Sequence, residues 1–237
     1  MSEIDKLRKE IDKLDLELLK AINKRSKIAI KIGKAKNSIN LFRPNRQAEI
    51  FKKIFSLKSN ILSPNVIFSF WRSLFFSQIN LQGGISVVTL KEVKKDILKA
   101  TYDYFTHDIN ISSLKSLRTI ETNVALSKNT ILVLPYPSNK KNCDWWTKYS
   151  FDKTYIIACL PFIVDRGKKA NAVIISKHYP ELKRGNDYFY LSKNKIIDKR
   201  LKLEAKANKH YLYKTNTIIK NLEMKFIGSS TKRYEFK

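Results

Sequence analysis

Between residues 3 and 36, apolar side chains recur in alternating steps of three and four: Ile4, Leu7, Ile11, Leu14, Leu18, Ala21, Ile28, Ile32 and Ala35. Lys9, Lys13, Lys20, Lys24, Lys27, Lys31 and Lys34 fall mostly off that stripe. The pattern predicts one helix of about 33 residues, roughly 50 Å long at 1.5 Å per residue. So long a helix needs a partner for its stripe, and a second copy of the chain is one candidate. Residues 37–43 read as a loop, and Pro44 suits the first turn of a second helix running to about residue 59. Ser63 and Pro64 then form an N-cap and first turn for a third helix. Its stripe is Ile67, Phe70, Trp71, Leu74, Phe75, Gln78 and Gln82, and Gly83-Gly84 stops it.

After Gly84 the period changes. Segments 85–90, 130–136, 154–160, 172–176 and 188–191 are rich in Ile, Val, Leu and Tyr and predict strands. Segments 93–105, 114–126 and 194–206 predict helices. The expected fold is therefore multidomain, α followed by α/β: three helices over residues 1–84, then an α/β domain over 85–237. The last 30 residues carry no decisive pattern.

The 237 residues and 27.7 kDa suit one large or two modest domains, and 43% hydrophobic residues suffice for a core. The net charge is +26, which raises nucleic acid as a partner. Its distribution argues against that reading: residues 1–82 carry 17 basic and 7 acidic groups, and the remainder 30 and 14, so the excess is spread over the whole chain. Cys143 and Cys159 are too few for a disulfide framework, and His107, His178 and His210 lack metal-ligand spacing. Charges begin at residue 3, and the longest uncharged stretch, 73–90, is interrupted by amides and glycines. The expectation is a soluble cytoplasmic protein with no membrane partner.

The informative residues are the polar ones that break the stripes. Arg25 falls inside the apolar face of the first helix, where a buried cation needs an anion or a carboxylate. A core ion pair and a snorkelling side chain both remain open. Lys36 lies eleven residues on, about 16 Å along the helix and roughly 20° around it, so the two cations frame a slot for a small dianion. Arg8, about 25 Å away and roughly 100° round, cannot reach the same ligand from one straight helix. Gln78 and Gln82 interrupt the third helix one turn apart, and Arg46 and Gln47 open the second.

Leu7-Arg8-Lys9-Glu10-Ile11-Asp12-Lys13-Leu14-Asp15, Leu18-Leu19, Arg25, the run from Ala29 to Lys36, Pro44-Asn45-Arg46-Gln47 and Gln82 together resemble the all-helical chorismate mutases over residues 4–82. The resemblance implies an intertwined homodimer with two active sites, each completed by Arg8 of the other chain. It implies that Arg25, Lys36 and the partner's Arg8 hold the two carboxylates of chorismate. Lys36 and Gln82 would donate to the ether oxygen of the breaking bond, and Arg46 would lie near the substrate hydroxyl. Three positions depart from the family pattern: Gln47 replaces a Glu that commonly binds that hydroxyl, Gln78 replaces a Ser, and Arg43 replaces an Asp.

The implied activity is the Claisen rearrangement of chorismate to prephenate in aromatic amino-acid biosynthesis, with no cofactor and no metal. Such a reaction needs a compact conformer and donors at the developing negative charge. Ile28, Ile32, Phe75 and Leu81 are candidates for apolar walls. The strands at 85–90 and 131–134 and the turn Pro135-Tyr136-Pro137-Ser138-Asn139 faintly resemble one lobe of the prephenate dehydratase fold, but the Thr-Arg-Phe signature of those enzymes is absent. The second domain is expected to be a degenerate or regulatory module, and residues 1–84 to be active alone. The competing reading is a non-enzymatic helical dimerisation module carrying a basic, nucleic-acid-binding α/β domain.

Overall fold

The computed structural model describes residues 2–35, 40–57, 59, 61–127, 129–140, 143–220 and 223–235. Helix α1 (Glu3–Ala35) is followed by α2 (Pro44–Ser56) and α3 (Pro64–Asn80). The starts of α2 and α3 follow local chemistry. Pro44 and Pro64 each occupy a first-turn position that needs no N–H donor, and the Ser63 hydroxyl accepts from the Val66 amide.

Helix α1 lies largely open. Only Gly33 is buried along its length. Ile4, Leu7, Ile11, Leu14 and Leu18 of the apolar stripe are between 48% and 62% exposed. A single chain leaves this stripe uncovered.

The remainder is α/β. Strand β1 (Ser86–Leu90), helix α4 (Lys95–Phe105), β2 (Ile111–Leu114), α5 (Leu117–Leu126) and β3 (Thr130–Pro135) form a parallel three-stranded unit ordered β2-β1-β3. The sheet continues through β4 (Tyr155–Leu160), β6 (Ala172–Ser176), β7 (Asp187–Ser192), β8 (Lys202–Ala207), β9 (His210–Thr215) and β10 (Lys225–Ser230). Its full order is β2-β1-β3-β6-β4-β10-β7-β9-β8, a nine-stranded mixed sheet, and β5 (Ile163–Val164) pairs separately with β11 (Tyr234–Glu235).

Two sequence-based assignments fail here. Residues 194–206 form no helix: the segment ends in β8, which pairs antiparallel with β9. Lys, Glu, Ala and Leu favour helices intrinsically, but Leu203 and Ala205 alternate with Lys202, Glu204 and Lys206. The chain then turns through Asn208 and Lys209, whose φ values of 48° and 59° are those of a two-residue hairpin turn. Strand β2 occupies part of what was expected to be the helix at 114–126, which starts only at Leu117 behind a Ser116 cap.

The helices and the sheet share one core. Phe51 of α2 and Phe68 of α3 lie 5.6 and 5.8 Å, ring to ring, from Phe162 between β4 and β5. Phe42 packs on Tyr104 and Phe105 of α4. α3 is therefore wedged between α1 and the α/β layer. This explains why Phe68, Arg72, Phe76 and Ile79 are buried while Phe70 of the expected stripe is 42% exposed.

Candidate functional site

The end of α1, the segment leading into α2, and the face of α3 enclose a cleft of about 290 Å³. Its apolar walls include Ile32, Ile50, Phe75 and Ile79, and its polar lining is Arg25, Arg43, Arg46, Asn40, Gln47, Gln78 and Gln82. Among the described lining residues there is no carboxylate, histidine, cysteine or hydroxyl side chain. The cleft can therefore bind and orient an anion, but these residues offer neither a nucleophile nor a general base near neutral pH.

Arg25 sits on the Phe75 ring, 5.0 Å from its centroid, and donates to the Gln78 amide oxygen. The Gln78 nitrogen in turn donates to Ser26 Oγ at 3.2 Å. Gln78 is thus satisfied on both sides, as a 4%-exposed amide must be. It orients Arg25 without neutralising it. Burial lowers the Arg25 pKa from its ordinary value, yet a guanidinium starts so high that the charge persists. The ion-pair alternative for Arg25 finds no carboxylate among the described residues.

Gln82 follows α3 and donates its Nε2 to the Gln78 carbonyl at 2.9 Å. Its side chain lies against Gly33: a Cβ on that glycine would stand 2.8 Å from Gln82 Oε1. Gly33 therefore lets α1 and α3 approach closely enough to bring Gln82 to the cleft.

Arg46 also reaches the cleft, with Nη1 at 3.2 Å from Glu49. Arg43 lines it too, but its charge is matched by Glu181, through contacts at 2.8 and 2.5 Å. Lys183 bridges Glu181 at 3.1 Å and also pairs with Glu49. Asn45 donates to the Glu181 carbonyl at 2.9 Å. This arginine ties the start of α2 to the loop before β7.

Of the other expected residues, Lys36 lies outside the described residues. Arg8 is far from the cleft on an exposed turn of α1, 4.0 Å from Asp5. Ile28 and Leu81, expected as walls, are 50% and 56% exposed and line no part of it. Sequence reasoning missed Arg72, which is 1% exposed and bonded to the cleft residue Gln47. The signal available was the one charged residue of a helix rich in Phe and Trp, one position off the expected stripe.

Residues 7–83 match the family model described as chorismate mutase type II. A bifunctional chorismate mutase/prephenate dehydratase from Aquifex aeolicus (strain VF5) is 28% identical over 141 residues. That alignment covers 57% of this chain, and the chain spans 39% of the relative's length. Among solved structures, a prephenate dehydratase from Streptococcus mutans aligns over 64% of this chain and 100% of its own, at a TM-score of 0.42 and 9% identity. No helix among the described residues is long and apolar enough to cross a membrane.

Proposed function

We propose that this protein is a chorismate mutase of aromatic amino-acid biosynthesis, working in the cytoplasm as a homodimer with chorismate as its small-molecule substrate. The observation that carries this is the cleft's chemistry: an uncompensated Arg25, amides and apolar walls, with no acid–base or nucleophilic group among the described lining residues. A Claisen rearrangement asks for that combination. It breaks and forms its bonds within one molecule and needs no proton transfer, so the protein contributes by holding a reactive conformer. It contributes further by placing donors where charge develops on the ether oxygen.

Arg25, Lys36 and the partner's Arg8 bind the two carboxylates. Lys36 and Gln82 donate to the ether oxygen. Arg46 and Gln47 attend the ring hydroxyl, and Gln78 holds Arg25 at the substrate. The residues that meet the substrate lie within 1–84, the helical region, and residues 85–237 form a second region packed against it. Two supports favour the dimer: the uncovered stripe of α1, and the length of helix separating Arg8 from Arg25. Nucleic acid is not the partner, since the excess charge is spread along the chain.

The test is direct. The purified full chain, given chorismate, should consume it and accumulate prephenate, without phenylpyruvate forming at a comparable rate. A folded, dimeric protein that leaves chorismate untouched refutes the proposal.

A further inference from the structure

Arg72 has an arrangement that core packing alone does not require. It is 1% exposed, its guanidinium lies 3.7 Å over the Tyr104 ring, and Nη2 has no partner among the described residues. No carboxylate among the described residues pairs with it. Its Nε donates to the Tyr104 carbonyl in the last turn of α4, and its Nη1 donates to Gln47 Oε1 at 2.5 Å. The Tyr104 hydroxyl donates to the same oxygen at 3.4 Å. Burial raises the Tyr104 pKa, so that hydroxyl keeps its proton.

A guanidinium has no acceptor, so the Gln47 atom facing it must be the amide oxygen. Two donors converging on Oε1 fix the amide's orientation. Gln47 also lines the cleft, and its Nε2 is the polar atom left to face it. We infer that Arg72 is a positioning residue that locks Gln47 with its NH₂ toward the cleft, so that this position donates a hydrogen bond to the substrate's hydroxyl oxygen rather than accepting the hydroxyl's proton. A glutamate here could only accept while ionised; this chain reverses the polarity of the contact. Tyr104 extends the lock into the α/β region. The inference rests on reading the cleft as the chorismate site.

The test is a double-mutant cycle on the full chain, measuring KM and kcat for chorismate. Gln47→Leu should raise KM about 3- to 10-fold, as loss of one neutral hydrogen bond predicts. Arg72→Met should raise KM similarly with kcat within about twofold, and should add nothing in the Gln47→Leu background, because it acts through Gln47. Additive effects, or a wild-type KM for Arg72→Met, would overturn the inference. Arg72 also caps α4, so Arg72→Met is open to misfolding. Gln47→Glu avoids that risk by giving the buried cation a counter-ion. It should melt higher than wild type at neutral pH, yet bind chorismate at least as weakly as Gln47→Leu. A lower KM for Gln47→Glu would show that the position wants an acceptor, which sinks the donor assignment. An inactive wild-type protein refutes the mutase reading itself, whereas an active one with additive effects refutes only the role of Arg72.

Discussion

Replacing Gly33 with alanine should separate stability from catalysis. Gly33 is helical and buried, with no positive φ, so alanine fits its backbone. In a helix interior that exchange favours folding by about 1 kcal/mol. The new methyl would stand 2.8 Å from Gln82 Oε1 and 2.9 Å from Gln82 Cγ, where ordinary contact begins at 3.4 Å. Something must move by about 0.6 Å, and the flexible glutamine yields more readily than two helix backbones. Stability should therefore be kept or slightly raised. Gln82, proposed to donate to the ether oxygen, is pushed off its position. Misplacements of about 1 Å can cost a hundredfold in rate, so kcat should fall between about ten- and a hundredfold. The assay pairs chorismate turnover with thermal unfolding of wild type and Gly33→Ala. Full activity with an unchanged or raised Tm would refute the role given to Gln82. Loss of Tm and activity together would refute the claim that Gln82, not the helix backbone, absorbs the strain.

Three further outcomes are expected. Leu14, 62% exposed at the middle of the α1 stripe, should be buried twice in a homodimer. Burying each copy is worth about 1.5–3 kcal/mol, so Leu14→Asp should give monomers by sedimentation at concentrations where wild type has twice the 27.7 kDa chain mass; a variant that stays dimeric rejects the seam. Arg8→Ala and Arg25→Ala should each be inactive, but unfolding and refolding them together should restore roughly a quarter of wild-type activity, because half the dimers carry one intact site; hybrids as dead as their parents exclude a shared site. Burial pushes the Glu181 carboxyl up, but hydrogen bonds from Arg43 and Lys183 outweigh it and hold it below its ordinary value. A depressed carboxylate contributes stability above the unfolded value of about 4.3 and loses it as pH falls through the folded one. Glu181→Gln should thus lower Tm at pH 7, with the difference closing in acid; a pH-independent difference would contradict the ion-pair account.

What could be read from the chain was what depends on neighbours within one or two turns. The α1 stripe, the two proline-led helix starts and the glycine stop after Gln82 are local signals, and the structure follows them closely. Strand β6 was legible because Ala172–Ser176 is buried at every position, which makes a continuous apolar run. Strand β8 was not, because its residues favour helix and only pairing with β9 overrides that preference. The site divides the same way. Arg25, Gln78 and Gln82 stood out as polar breaks in apolar faces. Arg72 did not, because its partners, Gln47 and Tyr104, lie 25 and 32 residues away. Nor did the match of Arg43 with Glu181, across 138 residues.

Those long-range contacts bear on whether residues 1–84 can act alone, as the sequence suggested. Helix α2, which carries Arg46 and Gln47, is anchored on its far side by Phe51 against Phe162 and by Asn45 against the Glu181 carbonyl. Phe42, Phe51, Phe68 and Phe76 are each 8% exposed or less, within a core that includes Val87, Ile97, Phe105, Leu160 and Phe162. Cutting after residue 84 would uncover much of those four side chains. At about 1.5–3 kcal/mol each, the loss is on the order of 6–12 kcal/mol, comparable to the whole stability of a typical domain. Dimerisation through α1 restores none of it, because these side chains belong to the core shared with the α/β region and not to the α1 stripe. The excised fragment should therefore aggregate or lose the α2 wall of the cleft, with Arg72 and Gln47 deprived of Tyr104. Circular dichroism, sedimentation and chorismate turnover on the fragment decide the matter. A soluble, helical, dimeric fragment with wild-type kcat and KM would show that the α/β region contributes nothing to the cleft.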